Sequence, residues 1–354
     1  MSIAPEDERV FVPEQQHKPI KKDPEEGQSL IIGPAKSGKT SLLGALHLHA
    51  RILADASASP VKIIIDEGED GKRFEQLILS LEEAALETGR FGAPGTGDVS
   101  NYRFLLEQTI VQTVVKKVTK PMPWSREKEM TESKEETKTY PFCLFDGPGG
   151  DLFGKPAEAK PDQERQAMLR ELGKNSPGLI MCVDPNDGPQ LRLLFTQLWR
   201  VLQALAERRH VELKRFAIVL TKADKYFARE NVDARRQAEE TNPWEVLRKL
   251  LPRAAWGPIR QHLDPRRITI ACGWASAYGF IPNDGSANYI TDQRFADGRL
   301  RVFNEEKPEE TNWDLWEPFR VLDPFLFVAT GRLGAMWPFE AERQLRDSTS
   351  GRDF

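Results

Sequence analysis

Short apolar runs alternate with longer helical patterns in the second half of the chain. The runs lie at Phe142 to Phe145, Leu179 to Val183, Phe216 to Leu220 and Ile268 to Cys272. Between two of them, apolar residues recur at helical spacing and are expected to pack into a core: Leu191, Leu194, Phe195, Leu198, Val201, Leu202 and Leu205. Strands that alternate with helices are typical of a parallel sheet covered on both faces. We therefore predict an α/β fold, with a doubly wound, mostly parallel sheet and helices on both faces.

The first half of the chain is less regular. A strand candidate at Ser29 to Ile32 precedes a helical pattern at Leu42 to Leu53. A second pair follows, with a strand candidate at Val61 to Asp66 and a helix candidate at Phe74 to Thr88. The spacing of apolar residues in the last segment predicts an amphipathic helix.

The segment between this helix and the next apolar run has three parts. Arg90 to Ser100 is rich in glycine and small polar residues, which predicts a loop. Asn101 to Thr119 alternates between apolar and polar residues, which predicts a long strand or hairpin arm. Pro121 to Lys138 is strongly charged and lacks apolar periodicity, so we predict a solvated hairpin tip or a disordered loop there.

A phosphate-binding motif lies between the first strand candidate and the first helix. Gly33, Gly38, Lys39 and Thr40 match the pattern G-x-x-x-x-G-K-[ST] in the strand, loop and helix setting that this pattern requires. The glycines let backbone N–H groups point at phosphate oxygens, Lys39 supplies a cation, and the Thr40 hydroxyl can bind Mg²⁺. The alternative is a glycine-rich turn that only caps a helix. We call residues 33–41 the cradle and predict that all of them border a nucleotide: Gly33, Pro34, Ala35, Lys36, Ser37, Gly38, Lys39, Thr40 and Ser41.

Residues that could contact the rest of a nucleotide follow the later strand candidates. Ligands of an open α/β sheet bind at the carboxyl ends of its strands. Asp146 follows one apolar run and can hold Mg²⁺ through water, while the N–H of Gly149 can reach a terminal phosphate. Asp224 follows another run and can accept hydrogen bonds from N1–H and the amine of guanine, which adenine does not offer together. The alternative for Asp224 is a simple helix N-cap.

Further candidates complete this set. The stem of Lys222 would lie along the base and ribose, and a backbone N–H at Ser276 or Ala277 could bond the guanine O6. Thr96, in the glycine-rich loop, is the candidate for closing over Mg²⁺ and the terminal phosphate, because such a loop can move when that phosphate leaves. The alternative for Thr96 is an ordinary loop threonine.

Taken in this order, the cradle, D-x-x-G, T-K-x-D and S-A resemble the translation-factor-like and Ras-like class of P-loop GTPases, over roughly Leu30 to Tyr278. The resemblance implies a Ras-like G domain that binds GTP or GDP with Mg²⁺. It implies that Lys39 binds the β- and γ-phosphates and that Gly149 binds the γ-phosphate. It assigns Mg²⁺ to three residues: Thr40, Thr96 and Asp146 (through water). It assigns the base to Lys222 and Asp224. Three further residues complete the predicted nucleotide-binding set: Thr221, Ser276 and Ala277. The chain also resembles prokaryotic GTPases of the double-GTPase type, because it has a helix before the loop that carries Thr96.

Three positions depart from the family pattern. Ras-like members carry a glutamine directly after D-x-x-G, which orients the attacking water; this chain has Gly150, followed by Asp151. We therefore expect slow hydrolysis, with Lys39, Gly149, Gly150 and Asp151 around the reacting phosphate. Thr221 replaces the commoner asparagine, which would weaken the bracing of the cradle. Lys36 would either reach phosphate oxygens or remain solvated at the rim.

The predicted domain plan follows from these assignments. An N-terminal arm at 1–28 precedes a P-loop GTPase domain at 29–330 and a C-terminal tail at 331–354. The domain carries insertions at 61–90, 121–138 and 280–312, and Phe280 to Glu310 reads as a surface loop. A last helix candidate runs from Leu315 to Leu326 and contains Pro318 and Pro324.

Composition limits the classes of partner. Fifty basic and 54 acidic residues give a formal charge of −4, so the chain has no overall electrostatic footprint for nucleic acid or an anionic membrane. No apolar run approaches the ~20 residues of a membrane span. The three cysteines, Cys143, Cys182 and Cys272, lie in apolar runs, which fits a reducing compartment. We expect a cytoplasmic switch protein with a protein effector or regulator, and a homodimer stays open. The alternatives are a guanine-nucleotide-bound scaffold that does not cycle and a P-loop ATPase or kinase.

Overall fold

The computed structural model describes residues 29–56, 61–91, 100–118, 128–146, 177–192, 194–195, 198, 213–228, 233–251, 268–292 and 295–339. The strands are β1 Ser29–Ile32, β2 Val61–Ile65, β3 Ser100–Val118, β4 Lys128–Asp146, β5 Gly178–Val183, β6 Arg215–Leu220, β7 Thr269–Trp274, β8 Ser276–Phe280, β9 Ile290–Asp292, β10 Phe295–Arg299, β11 Glu317–Phe319 and β12 Trp337–Pro338. The helices are α1 Lys39–Ala56, α2 Glu69–Thr88, α3 Ala223–Phe227, α4 Ala234–Glu240, α5 Pro243–Leu250 and α6 Asp323–Thr330. Residues 188–192 are also helical, and short 3-10 helices lie at Pro308–Glu310 and Trp313–Leu315.

The central sheet has the order β1-β5-β6-β7-β12. Its first four strands are parallel, and β12 pairs antiparallel with β7. Successive side chains of each strand enter two different clusters, so that Leu30 packs on one face of the sheet and Ile31 on the other. A parallel sheet needs cover on both faces because its connections place helices there. The predicted α/β class with a mostly parallel sheet is confirmed.

The predicted amphipathic face on the helix after β5 is buried where the structure describes it. Leu191, Leu194, Phe195 and Leu198 are all 1% exposed or less. Val201, Leu202 and Leu205 lie outside the described residues. The described part of this helix therefore covers one face of the sheet, as its spacing predicts.

A second sheet has the order β2-β3-β4 and is antiparallel throughout. β3 and β4 pair along their whole lengths, from Ser100 opposite Asp146 to Val118 opposite Lys128. The run at Phe142 to Phe145 therefore ends a hairpin arm and is not a strand of the parallel set. β4 also lies beside β1, so the two sheets meet next to the cradle.

The sequence predicts a hairpin tip or a disordered loop at Pro121 to Lys138. The hairpin is present, but its second strand, β4, already begins at Lys128, so both alternatives are wrong from there onwards. Glu136, Thr137 and Lys138 are exposed. A strand with solvent on both faces needs no apolar alternation, so its sequence carries no pattern that predicts a strand. Its hydrogen bonds to β3 are what hold it.

The C-terminal part differs most from the sequence prediction. The helix predicted at Leu315 to Leu326 is wrong before Asp323, because β11 lies there, paired with β8, and α6 begins only at Asp323. Pro324 sits in the first turn of α6, where a missing N–H costs nothing. The segment read as a surface loop contains the β9 and β10 hairpin. None of the described helices is long and apolar enough to cross a bilayer.

α2 is held on the second sheet by aromatic stacking. Phe74 is fully buried and stacks on Phe104 of β3 at a centroid distance of 4.9 Å. Phe104 stacks in turn on Phe142 of β4 at 5.2 Å. The three rings connect the helix to both strands of the hairpin, just below the point where β4 reaches β1.

We predict that Phe74→Ala lowers the free energy of unfolding by about 3–5 kcal/mol, because the cavity would lie inside this stack. Leu79→Ala is the matched control on the same helix, since Leu79 is 52% exposed. It should change stability by less than about 0.5 kcal/mol. Urea denaturation of both variants measures the difference. Equal effects would mean that the stack does not anchor α2.

Candidate functional site

The cradle connects β1 directly to α1 and needs glycine at two positions. Gly38 has φ +82°, in the left-handed region that side chains rarely adopt. A Cβ at Gly33 would lie 2.5 Å from the carbonyl oxygen of Cys182 on β5, too close for any side chain. These glycines thus set both the turn of the loop and its packing against the sheet.

The Lys39 side chain lies across the cradle and is only 7% exposed. Its ammonium donates to the carbonyl oxygens of Gly33 at 3.0 Å and Pro34 at 3.1 Å. Nearby, the Ser37 hydroxyl is buried and has no hydrogen-bond partner within the part of the chain that the structure describes. A buried cation beside an unsatisfied hydroxyl at a helix N-terminus suits a phosphate group, which offers several acceptor oxygens.

Three successive carbonyl groups of the cradle are held from outside. Gln190 Nε2 donates to Ala35 at 2.9 Å. Lys222 Nζ donates to Lys36 at 2.7 Å, and Thr221 Oγ1 lies 2.6 Å from the carbonyl oxygen of Ser37. These bonds fix the orientation of the peptide groups in the loop. We call the three donor side chains of Gln190, Thr221 and Lys222 the carbonyl clamp.

Threonine at position 221 keeps a direct bond to the cradle. Its hydroxyl lies within hydrogen-bond distance of the carbonyl oxygens of Ser37 (2.6 Å) and Val183 (3.0 Å). A hydroxyl has one proton to donate, so the shorter contact is the favoured one. The threonine hydroxyl therefore reaches the loop directly, and the weaker bracing expected relative to asparagine stays a prediction.

Asp224 lies in the first turn of α3 and is 1% exposed. It is not the N-cap of that helix, because Lys222 holds the cap position. The Ser276 hydroxyl donates to Asp224 Oδ1, and the N–H of Gly279 donates to the Ser276 oxygen at 2.9 Å. Burial raises the pKa of Asp224 to about 6, against the opposing effect of the Ser276 hydrogen bond. Asp224 is thus a buried acceptor in the first turn of α3 and does not hold its N-cap position.

The segment after Ser276 is held by side chains that lie far along the chain. Trp316 Nε1 donates to the Ala277 carbonyl at 3.1 Å, and Asn288 Nδ2 donates to the Tyr278 carbonyl at 3.2 Å. The Tyr278 hydroxyl accepts from the N–H of Phe91 at 3.2 Å. The Phe91 ring meets Trp316 edge-on at 4.7 Å. One aromatic side chain therefore contacts both the Ala277 segment and the chain just after α2.

The remaining predicted residues divide into two groups. Thr40 and Ser41 lie in the first turn of α1 and are partly exposed, and Lys36 is exposed at the rim with φ +61°. The backbone of Asp146 ends β4, next to β1. Four predicted residues lie outside the described part of the chain: Thr96, Gly149, Gly150 and Asp151. Within the described part, no group of three or more His, Cys, Asp or Glu side chains could hold a metal.

Three residues at this site were not predicted from the sequence. Asp184 directly follows β5, so inspection of every strand end would have found it. Gln190 and Trp316 carry no such signal, because only the folded chain brings them to the cradle and to Ala277. Their contacts extend the site beyond its motifs.

A separate cavity of about 690 Å³ borders α3, α4 and the segment 284–301. Polar groups that line it are already engaged: Lys225 Nζ lies 5.6 Å from the centre of the Tyr289 ring, and Arg301 donates to the Ser286 hydroxyl at 2.7 Å. Asp233 caps α4. We assign this cavity no role, and the cradle remains the candidate site.

No protein-family model matches this chain, and no curated protein matches it. Solved structures do show partial likeness. The Arl6 (BBS3) small GTPase of Trypanosoma brucei, with a bound nucleotide analogue, is 12% identical with a TM-score of 0.31, over 71% of this chain and 87% of that one. The SRb-GTP/SRX signal recognition particle receptor complex of Chaetomium thermophilum gives 14% and 0.32, over 73% and 93%. The GTP-bound Ski7 GTPase-like domain of S. cerevisiae gives 14% and 0.31, over 77% and 47%. Superpositions this loose assign nothing to this chain.

We predict that Asp224→Asn makes the protein more stable above pH 6 and leaves it unchanged below pH 4. The native state binds the Asp224 proton more tightly than the unfolded chain does, because its pKa is about 6 instead of 3.8. Wild-type stability therefore falls as pH rises through this window, by about 3 kcal/mol from this group alone. Urea denaturation at several pH values measures the difference between wild type and variant. The exposed Asp284→Asn is the control, because the Ser286 hydrogen bond lowers the pKa of Asp284. A difference that does not vary with pH would contradict the burial of an ionisable Asp224.

Proposed function

We propose that this chain is a GTP-binding molecular switch that hydrolyses GTP slowly with Mg²⁺. One observation carries the proposal. The T-K-x-D segment contributes Thr221 and Lys222 to the carbonyl clamp on the cradle and, two residues later, the buried acceptor Asp224. A phosphate-type loop and a base-type acceptor are thus parts of one hydrogen-bonded unit at the carboxyl ends of the parallel strands β1 and β6, which lie on either side of β5.

Phosphate binding is supported by the charges and donors around the cradle. The buried Lys39 ammonium donates to the neutral carbonyl oxygens of Gly33 and Pro34. A phosphate oxygen is a stronger acceptor for an ammonium than a carbonyl is. Ligand binding would therefore exchange weaker hydrogen bonds for charge-assisted ones and satisfy the Ser37 hydroxyl.

Guanine binding is supported by the cost of keeping Asp224 ionised. Burial destabilises its carboxylate, which is why the pKa rises. Guanine presents two donors to such a group, at N1 and at the C2 amine, whereas adenine presents an acceptor at N1. Hydrogen bonds from these two donors would stabilise the buried carboxylate, so the ligand that fits it is a guanine nucleotide. Ser276 would keep its hydrogen bond to Asp224, while backbone N–H groups near Ala277 donate hydrogen bonds to the guanine O6.

Magnesium fits the oxygen donors available near the cradle. Mg²⁺ is bound through one or two protein oxygens together with substrate phosphates. In this proposal Thr40, Asp146 and Thr96 hold it, and it supplies charge neutralisation at the phosphates. The small number of protein ligands explains why no cluster of acidic residues is required.

Hydrolysis is proposed to be slow because position 150 has no side chain. Gly149 would bond the terminal phosphate, and water activation would fall to Asp151, to the substrate phosphate or to a group supplied by a partner. The partner we propose is a protein effector or regulator that recognises the GTP-bound form. Membership of the double-GTPase group stays a prediction.

Selectivity tests the assignment of Asp224. We expect wild type to bind a fluorescent GTP analogue on the order of 100-fold or more tightly than the ATP analogue, because a site built on hydrogen bonds rejects a base that cannot make them. Asp224→Asn should lose this preference and gain affinity for xanthosine triphosphate, whose C2 carries a carbonyl. Asp284→Asn, exposed and outside the site, is the control. Equal affinities of wild type for GTP and ATP would overturn the guanine assignment.

Turnover tests the switch. We expect single-turnover GTP hydrolysis on the order of 10⁻³ s⁻¹ or slower, comparable to intrinsic rates of Ras-type proteins. Gly150→Gln should raise this rate, and Lys39→Ala should abolish nucleotide binding.

Loading with GTP analogue or GDP, followed by pull-down, would show whether a partner distinguishes the two forms. Rapid hydrolysis by purified protein alone would contradict the role given to Gly150.

A further inference from the structure

Asp184 forms an ion pair with Lys222 at the edge of the candidate site. Its Oδ2 lies 2.8 Å from the Lys222 ammonium, and the Asp184 side chain is only 8% exposed. Lys222 is 29% exposed, so the pair is shielded from solvent on the Asp184 side. Partly buried pairs of this kind are screened much less by salt than exposed ones.

The second carboxylate oxygen of Asp184 also accepts hydrogen bonds. Oδ1 accepts from the N–H of Asn186 at 2.9 Å and from its side-chain amide at 3.0 Å. Hydrogen bonds on both oxygens leave the carboxylate one orientation. Asp184 is therefore a fixed anion, and Lys222 is the side chain that adapts to it.

Lys222 is constrained at both ends. Its backbone has φ +57°, a strained conformation for a residue with a side chain. Its ammonium is shared between Asp184 and the carbonyl oxygen of Lys36 at 2.7 Å. The aliphatic stem therefore spans from the end of β6 to the cradle in one conformation.

From this geometry we propose that Asp184 is a positioning residue for the nucleotide, acting through Lys222. This inference rests on the proposed function, in which the Lys222 stem lies along the base and ribose. An unanchored lysine must lose its rotamer freedom when ligand binds, whereas an anchored one has lost it on folding. Asp184 thus preorganises the wall of the base site and, through the same ammonium, holds the cradle.

The proposal separates affinity from base choice. The stem of Lys222 offers apolar contact that any purine can use, whereas Asp224 distinguishes guanine from adenine. Loss of Asp184 should therefore weaken GTP and GDP alike and leave the ratio of guanine to adenine affinity unchanged. A general loosening of the site would instead lower that ratio, because Asp224 and Ser276 would also shift.

The experiment compares Asp184→Asn with Asp187→Asn in the full chain. Asp187 lies three residues further on and caps the helix through Gln190 N at 3.0 Å, without contacting Lys222. We expect Asp184→Asn to release fluorescent GDP about 10-fold faster, as loss of a charge-assisted hydrogen bond implies, and Asp187→Asn to stay within about 2-fold of wild type. Asn186→Ala should act in the same direction as Asp184→Asn with a smaller effect, and it serves if Asp184→Asn does not fold.

A double-mutant cycle with Lys222→Met decides the mechanism. In that background Asp184→Asn should have no further effect on the release rate, because the two residues act as one unit. An undiminished effect in the Lys222→Met background, or release by Asp184→Asn at the wild-type rate, would overturn the proposal. Failure of wild type to bind guanine nucleotide would instead overturn the proposed function.

Discussion

Hydrogen bonds from side chains to the carbonyl groups of the cradle are the interaction on which the rest of the site depends. The carbonyl oxygens of Ala35, Lys36 and Ser37 each accept a hydrogen bond from a side chain in the segment that follows β5 or β6. A loop of this kind has few internal hydrogen bonds. Without these donors its carbonyl groups would bond to water, and the loop could adopt other conformations. Because the donors come from neighbouring parallel strands, the shape of the loop is set by the sheet, and the sheet is in turn fixed by burial on both faces.

The same unit carries a cost at Asp224. A carboxyl group with a pKa of about 6 is ionised at neutral pH, but burial makes its charged form less stable than it is in water. Proteins keep such groups where a ligand or a reaction uses them, since replacement by a neutral residue would be more stable. Ser276 offsets part of this cost, and its own oxygen is oriented by the N–H of Gly279. Stability has thus been given up at one buried position for a strong acceptor in the proposed base site.

Segments outside the sequence motifs extend the site. β11 pairs with β8, and Trp316, immediately before β11, bonds the Ala277 carbonyl and meets the ring of Phe91. The chain after α2 is thereby linked to the proposed base segment by the Trp316 indole and by the hydrogen bond from the Phe91 N–H to the Tyr278 hydroxyl. On the other side, the hairpin of β3 and β4 brings Asp146 to the edge of β1. The C-terminal segment therefore supports the Ala277 segment, and the long hairpin lies beside the strand that leads into the cradle.

The sequence by itself predicts the elements whose pattern lies within one short segment: the buried strands and the cradle. The apolar runs predict β5, β6 and β7 because a strand buried on both faces needs apolar residues throughout, and the cradle follows from glycines and Lys39 in consecutive positions. Sequence did not predict the exposed part of β4, whose partner is β3, or β11, whose partner is β8. Nor did it predict Gln190 or Trp316 as members of the site, whereas Asp184 could have been found from its position directly after β5. Each of these depends on hydrogen bonds between residues far apart in the chain, and only the tertiary structure decides which donor meets which acceptor.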